Sequence, residues 1–262
     1  MNGGVNGKPL SANSVLRVHS VLHRALNQAV KWGWLAGNPA SKASPPRPRR
    51  TTLTPPSPPE VMRLIDAASK VNDQLPAFFR LAAATGARRG EICGLQWRDI
   101  DLDTAQLVIS RSVANVKGAV IVKSTKTHAA RRLSLDAGTV NALVELRGRR
   151  HALAKFAGTE IPPTSFVFSH EVDGHTPWRP DYATLAFVRP RDELGLGEVR
   201  LHDLRHFVAT AMLAGGADIK TVSGRLGHAD ASTTLNIYAH FLEAPDRAAA
   251  DRLGSILDQN AS

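Results

Sequence analysis

The stretch HDLRHFVATAMLAGGADIKTVSGRLGHADASTTLNIYAH, residues 202–240, holds three helices in succession. Residues 202–214 read strongly as a helix, and Gly215-Gly216 stops it. Asp218 can cap a short helix that ends at Gly227. A third helix starts near 230–232 and carries Tyr238, one of two tyrosines in the chain. Residues three and four apart share a helix face, so His202, Arg205 and His206 can point the same way.

Two chemistries compete for that pentad. Histidines four apart on a helix can hold zinc, as in H-E-x-x-H proteases. Here Asp203 stands where those enzymes place their Glu, and no downstream third ligand is evident. The other chemistry is a phosphate site. Arginine donates in a planar fork to phosphate oxygens, and histidine moves a proton near neutral pH. Taken alone, a helix with a polar face is the simpler reading. Tyr238 would need help as a nucleophile, since an unperturbed phenol titrates near ~10 and neighbouring cations would lower that cost.

Working outward, Thr85-Gly86-Ala87-Arg88-Arg89-Gly90-Glu91 breaks one helix before another begins. Helix starts offer free N–H groups to phosphate, and Glu91 could brace an arginine one turn back. Lys126 lies in the polar loop 124–130 between two predicted strands. A lysine near a phosphate can protonate a leaving oxygen, although a solvated turn lysine is the usual case. No phosphate-binding P-loop occurs, because Gly7-Lys8 precedes a proline and lacks the upstream glycine. That argues against a nucleotide-driven enzyme.

The ordered set is Thr-Gly-x-Arg88-x-Gly-Glu91, a hairpin Lys126, His202-x-x-Arg205, Leu-Gly-His228 and Tyr238 followed by Ala-His. It resembles the tyrosine recombinase (phage integrase) family across residues 10–257. The resemblance implies that Arg88 and Arg205 grip the scissile phosphate. It makes Lys126 the acid for the departing 5′ oxygen and His202 the proton-handling histidine. His228 becomes a hydrogen-bond donor to the phosphate and Tyr238 the nucleophile. Glu91 is then a structural brace and His206 a helix-packing residue. The implied reaction is site-specific DNA strand cleavage and rejoining through a 3′-phosphotyrosyl bond, for integration or excision of a prophage or similar mobile element, with no cofactor and no metal. A type IB topoisomerase-like relaxing activity, or a DNA-binding remnant without full activity, are the alternatives. Ala87 and Thr125 depart from the usual pattern at positions that do not touch the chemistry.

The expected fold class is mixed and mainly α: a helical catalytic domain with a small antiparallel three-stranded sheet, preceded by a helical remnant of a core-binding domain. The strands are predicted at 105–110, 119–123 and 131–135. Residues 166–169 read as a fourth short strand or a buried turn. Ser57-Pro58-Pro59-Glu60 opens a helix to about 70, and others are expected over 75–84, 88–95 and 136–156. Pro190 interrupts a helix over 180–194.

Residues 14–34 show helical spacing, but one helix cannot bury its apolar face alone. Hence 1–44 reads as a partial core-binding domain and the chain as a fragment or an internal start. Residues 45–59 hold seven of the sixteen prolines and three arginines, and so read as a basic linker. The catalytic domain is expected over 60–242 and a docking tail helix over 243–262.

Net charge of +10 and a pI near 10.3 suit a polyanion, most simply double-stranded DNA. Arg47, Arg49, Arg50 and Lys123 are candidate DNA contacts. By the resemblance, the partners are a homotetramer on paired sites and an excisionase or DNA-bending protein. The single Cys93 excludes an internal disulfide. With no apolar run able to span a bilayer, a cytoplasmic protein is expected.

Overall fold

The computed structural model describes residues 9–47, 54–124, 130–228, 230–238 and 253–258. The chain divides into two compact units, Met1–Leu53 and Thr54–Ser262.

In the first unit, helix α1 (Ala12–Lys31) starts on Ser11, whose hydroxyl accepts the Ser14 N–H at 3.2 Å. Gly33, at φ +75°, follows its end. A short 3₁₀ turn, Pro39–Lys42, folds back along the helix. The Asn38 amide donates to the His23 carbonyl at 3.0 Å and to Asn27 Oδ1 at 2.6 Å. No residue of α1 is buried, and Val18, Val21, Leu22, Trp32 and Trp34 are exposed.

The second unit is built around α3 (Leu75–Thr85), an almost wholly apolar helix. It packs against α2 (Pro58–Ala68), α5 (Ala137–Phe156) and α7 (Asp203–Ala214). Phe78 and Phe79 make edge-to-face contacts with Phe168 and Phe187, and Trp178 closes the same cluster. All five rings are essentially inaccessible to solvent and are among the largest fully buried side chains, so each buries a large apolar area.

The antiparallel strands form two sheets. Strands β1 (Ile100–Asp101), β2 (Gln106–Ile109) and β5 (Arg131–Ser134) form one, in the order β1-β2-β5. Strands β3 (Arg111–Val116) and β4 (Ala119–Ser124) form a separate hairpin, with Val116 opposite Ala119. The expected three-stranded sheet is therefore corrected in membership: residues 119–124 leave it and pair with 111–116, a strand the sequence reading did not place. Lys117 and Gly118 both adopt positive φ, +50° and +88°. That is the two-residue turn whose twist suits a hairpin, and it joins β3 to β4.

Residues 166–169 form no regular strand: Phe166 makes one antiparallel bridge to Gln96, and Val167 and Phe168 are buried. Helix α6 (Pro180–Glu193) runs through Pro190 instead of breaking. The proline falls in the last turn and is buried, so one lost intrahelical bond there is offset by packing.

Three further helices complete the frame: α4 (Arg89–Cys93), α8 (Ile219–Leu226) and α9 (Ala231–Tyr238). Residues 253–258 are helical, with Leu253 and Leu257 exposed.

Candidate active site

Arg88 sits where α3 gives way to α4. Gly86 closes α3 in the left-handed conformation (φ +64°), and an added Cβ there would lie 2.5 Å from Leu226 Cδ2. The Thr85 hydroxyl donates to the Leu81 carbonyl at 2.5 Å and accepts the Ala87 N–H at 3.2 Å. This tight exit leaves Arg88 at the start of α4. Its backbone N–H and Nη1 both donate to the Glu91 carboxylate, at 2.9 and 3.0 Å. Its guanidinium also reaches the Gly227 carbonyl at 3.3 Å.

Glu91 is buried, and its second partner came from far along the chain. Arg131, the first residue of β5, donates to both carboxylate oxygens, at 3.1 and 2.6 Å. Arg131 Nε also donates to the Arg225 carbonyl at 3.1 Å. Burial raises the Glu91 carboxyl. The hydrogen bond and charge of Arg131, then those of Arg88, outweigh it and leave the group below the ordinary carboxylate value. The brace expected for Glu91 is thus a three-member cluster, with Arg131 as the member that spacing could not reveal.

Arg205, in the first turn of α7, is 4% exposed. Its Nη1 donates to the carbonyls of Gly86 and Leu226, at 2.6 and 2.7 Å. Its Nη2 is buried and has no partner among the described residues. Burial, then the neighbouring Arg88 charge, brings its pKa down to about 10, so it stays cationic at neutral pH.

Arg88 and Arg205 line one cavity of about 490 Å³ together with Arg89, Arg200 and His202, over an apolar floor that includes Phe78, Ala87 and Leu201. Arg89 Nη1 donates to Thr184 Oγ1 at 2.5 Å. Arg200 forks onto Asp203, which also accepts the Arg200 N–H at 2.8 Å. His202 stands at the rim just before α7, and its pKa is lowered by burial and then by Arg205.

His228 follows Gly227, the left-handed end of α8 (φ +70°). Its Nδ1 lies 2.7 Å from Thr234 Oγ1. Burial first, then Arg205, Arg88, Arg131 and His202, push its pKa down to about 4. It is a neutral imidazole at pH 7, set beside the arginines.

Tyr238 ends α9 with 1% exposure. Burial pushes its phenol up to about 12, although the Arg205 charge pulls the other way. Arg205 acts in the expected direction, easing phenolate formation, but desolvation outweighs it and the net shift is upward. The phenol oxygen lies 2.5 Å from His206 Nδ1. His206, expected as a helix-packing residue, is thus in contact with Tyr238. Its position four residues after His202 was the available signal, but nothing in the sequence placed Tyr238 against it.

Five expected site residues, Arg88, His202, Arg205, His228 and Tyr238, thus converge from four separate helix ends. Lys126, Arg49 and Arg50 lie outside the described residues. Arg47 is exposed in the first unit and Lys123 is exposed on β4.

Comparison with known proteins gives three kinds of likeness. The phage integrase family matches residues 57–244. The ICEBs1 integrase of Bacillus subtilis (strain 168) is 26% identical over 249 residues, spanning 95% of this chain and 67% of that protein. The tyrosine recombinase XerC of Mycobacterium tuberculosis (strain ATCC 25177 / H37Ra) is 30% identical over 239 residues, covering 86% of this chain and 71% of that one. The fold is shared with the Tn1549 transposon integrase solved in complex with transposon right end DNA, at TM-score 0.78 and 19% identity over 94% of this chain and 80% of that chain. The XerA recombinase shares it more loosely, at TM-score 0.58 and 23% identity over 93% of this chain and 83% of that one.

Proposed function

Because the chain belongs to the phage integrase family, we propose that it is a site-specific DNA recombinase that cuts and rejoins strands through a phosphotyrosine. The observation that carries this reading is the convergence of Arg88, His202 and Arg205 on one cavity, with Arg205 Nη2 buried and without a partner among the described residues. An unpaired buried guanidinium nitrogen is costly, and a phosphate oxygen supplies the missing acceptor. The neighbouring Arg88 offers a second fork to the same anion.

In the proposed reaction, Tyr238 attacks the scissile phosphate. The P–O5′ bond breaks, and a 3′-phosphotyrosyl link and a free 5′ hydroxyl result. Arg88 and Arg205 stabilise the charge that builds on the non-bridging oxygens. His202 handles a proton at the phosphate, His228 hydrogen-bonds it, and Lys126 protonates the leaving 5′ oxygen. A 5′ hydroxyl from a partner strand then reverses the step. The energy of the cleaved bond is retained in the phosphotyrosine, so strand joining requires no nucleotide.

The double-stranded DNA partner is supported by the net charge of +10 and by the solved DNA complex of the Tn1549 integrase. We extend the proposal to the chain's organisation: 1–44 as part of a core-binding domain, 45–59 as a basic linker contributing Arg47, Arg49 and Arg50 to DNA, 60–242 as the catalytic domain, and 243–262 as a docking tail. Assembly is proposed as a homotetramer on paired sites, with an excisionase or DNA-bending protein as accessory. A cytoplasmic location fits this work on DNA. Among the described residues no helix is long and apolar enough to cross a membrane.

The test is a set of nicked suicide duplexes tiled across the DNA flanking this gene. An SDS-resistant protein–DNA adduct that disappears in Tyr238→Phe supports the reading. An adduct that survives the substitution removes Tyr238 as nucleophile.

A further inference from the structure

We propose that His206 is the proton acceptor for Tyr238, a catalytic role separate from that of His202. The inference rests on the phosphotyrosine reading above and adds to it the group that takes the nucleophile's proton.

The geometry singles out His206. Its Nδ1 lies 2.5 Å from the phenol oxygen, the one reacting atom that the chain itself supplies. The other two imidazoles are placed for different work. His202 lines the arginine cavity, and its ring meets that of His206 edge to face at 5.0 Å and 89°. His228 Nδ1 is engaged by Thr234.

The helix fixes the imidazole. His206 is half-buried one turn after His202 on α7, and its own carbonyl accepts from Thr210 Oγ1 at 3.0 Å. Burial first, and then His202, lower the imidazole to about 4; Arg200 and Arg205 act in the same sense and Asp203 opposes them. At neutral pH the ring is uncharged. With the proton on Nε2, the Nδ1 lone pair faces the phenol hydrogen.

In the resting site the proton therefore stays on Tyr238, whose ring is 1% exposed. Docking of DNA has to uncover the ring. A phosphate on Arg88 and Arg205 brings negative charge toward the imidazole, which favours its protonated form. The step then balances. The Oη–H bond breaks and the proton passes to His206 Nδ1, while the phenol oxygen bonds to phosphorus. The P–O5′ bond breaks, and the leaving 5′ oxygen takes its proton from the acid on the other side, proposed as Lys126. In the rejoining direction the imidazolium returns its proton to the departing phenol oxygen.

The test compares wild type with His206→Asn, whose Oδ1 occupies the Nδ1 position and accepts a hydrogen bond but takes up no proton. His206→Gln serves as a second variant if the first does not fold. Single-turnover cleavage of the suicide duplexes is expected to fall about 10²- to 10⁴-fold, with duplex affinity by gel shift unchanged. Two chemical rescues separate a proton acceptor from a packing residue. Trifluorotyrosine at position 238, a more acidic phenol, is expected to shrink the His206→Asn defect by about tenfold or more. A 5′-bridging phosphorothiolate, which relieves the need for an acid, is expected to leave the defect intact while it rescues Lys126→Ala.

Cleavage within about threefold of wild type, a defect unmoved by trifluorotyrosine, or a defect relieved by the phosphorothiolate would each overturn the assignment while leaving the recombinase reading in place. Absence of any wild-type adduct overturns both.

Discussion

Glu91→Gln is expected to destabilise the second unit by about 3 kcal/mol and, with it, to loosen Arg88. The carboxylate is 5% exposed and takes both prongs of Arg131, itself 15% exposed. Glutamine offers one acceptor oxygen and turns an NH₂ group toward an arginine donor. Removing one partner of a buried pair costs roughly 3–5 kcal/mol, because the other charge is left uncompensated. The low end applies here, since Arg131 keeps the Arg225 carbonyl. The Arg88 arm adds little to this figure, because its side chain is 46% exposed and solvent screens it.

The assay is urea unfolding at pH 7, followed through the buried indoles Trp97 and Trp178. For a unit of this size the same change lowers Tm by about 6–12 °C. The pH dependence has a definite sign. The folded Glu91 carboxyl titrates below the ordinary carboxylate value, so its contribution is complete above that value and is lost as pH falls through the folded one. The gap between wild type and variant is expected to narrow in acid. A difference of less than about 1 kcal/mol at pH 7, where surface pairs fall, would refute the buried-cluster reasoning.

Four further outcomes follow from the same geometry. Arg205→Lys should lose about 10³ to 10⁵ in cleavage rate, because a lysine cannot hold the Gly86 and Leu226 carbonyls while also offering a second nitrogen to phosphate; adduct formation on the suicide duplexes measures it. Gly227→Ala should cost about 1–2 kcal/mol for its left-handed backbone, and more because the new Cβ would sit 2.7 Å from Arg131 Nη1; urea unfolding and adduct yield should fall together. His206 and His228 both titrate near about 4 when folded, below the unfolded ~6.5. The stability they lend to the neutral form is present above that value and drains as pH falls toward 4, so urea midpoints should drop over this window and drop less in a His206→Asn, His228→Asn double variant. Cys93 is inaccessible, and burial pushes its thiol up to about 12; it should react with a disulfide reagent only on unfolding, and rapid native labelling would contradict its burial.

Much of the helical frame was legible because its signals are local. Ser57 with Glu60, Asp136 and Asp218 mark helix starts, and Gly86 and Gly227 mark ends, through contacts within a turn or two. The hairpin was misread for a related reason. The run 111–116 mixes polar and apolar residues and carries too little apolar signal to stand out. Its identity as a strand comes from pairing with 119–124. Pro190 misled in the opposite direction, since a local breaker was overridden by burial.

The site divides along the same line. Residue types and their order along the chain were enough to nominate Arg88, His202, Arg205, His228 and Tyr238, and to place the chain in its family, because that chemistry requires particular side chains in a particular sequence. What those side chains touch was decided by folding alone. Arg131 grips Glu91 across 40 residues, Arg205 spans from Gly86 to Leu226, and His206 meets Tyr238 across 32. Burial then sets the charge states, leaving His206 and His228 neutral and the phenol protonated. Sequence spacing reports neighbours within a turn of helix. Distance and desolvation between remote residues are properties of the packed chain, and they determine which groups meet and which charge each carries.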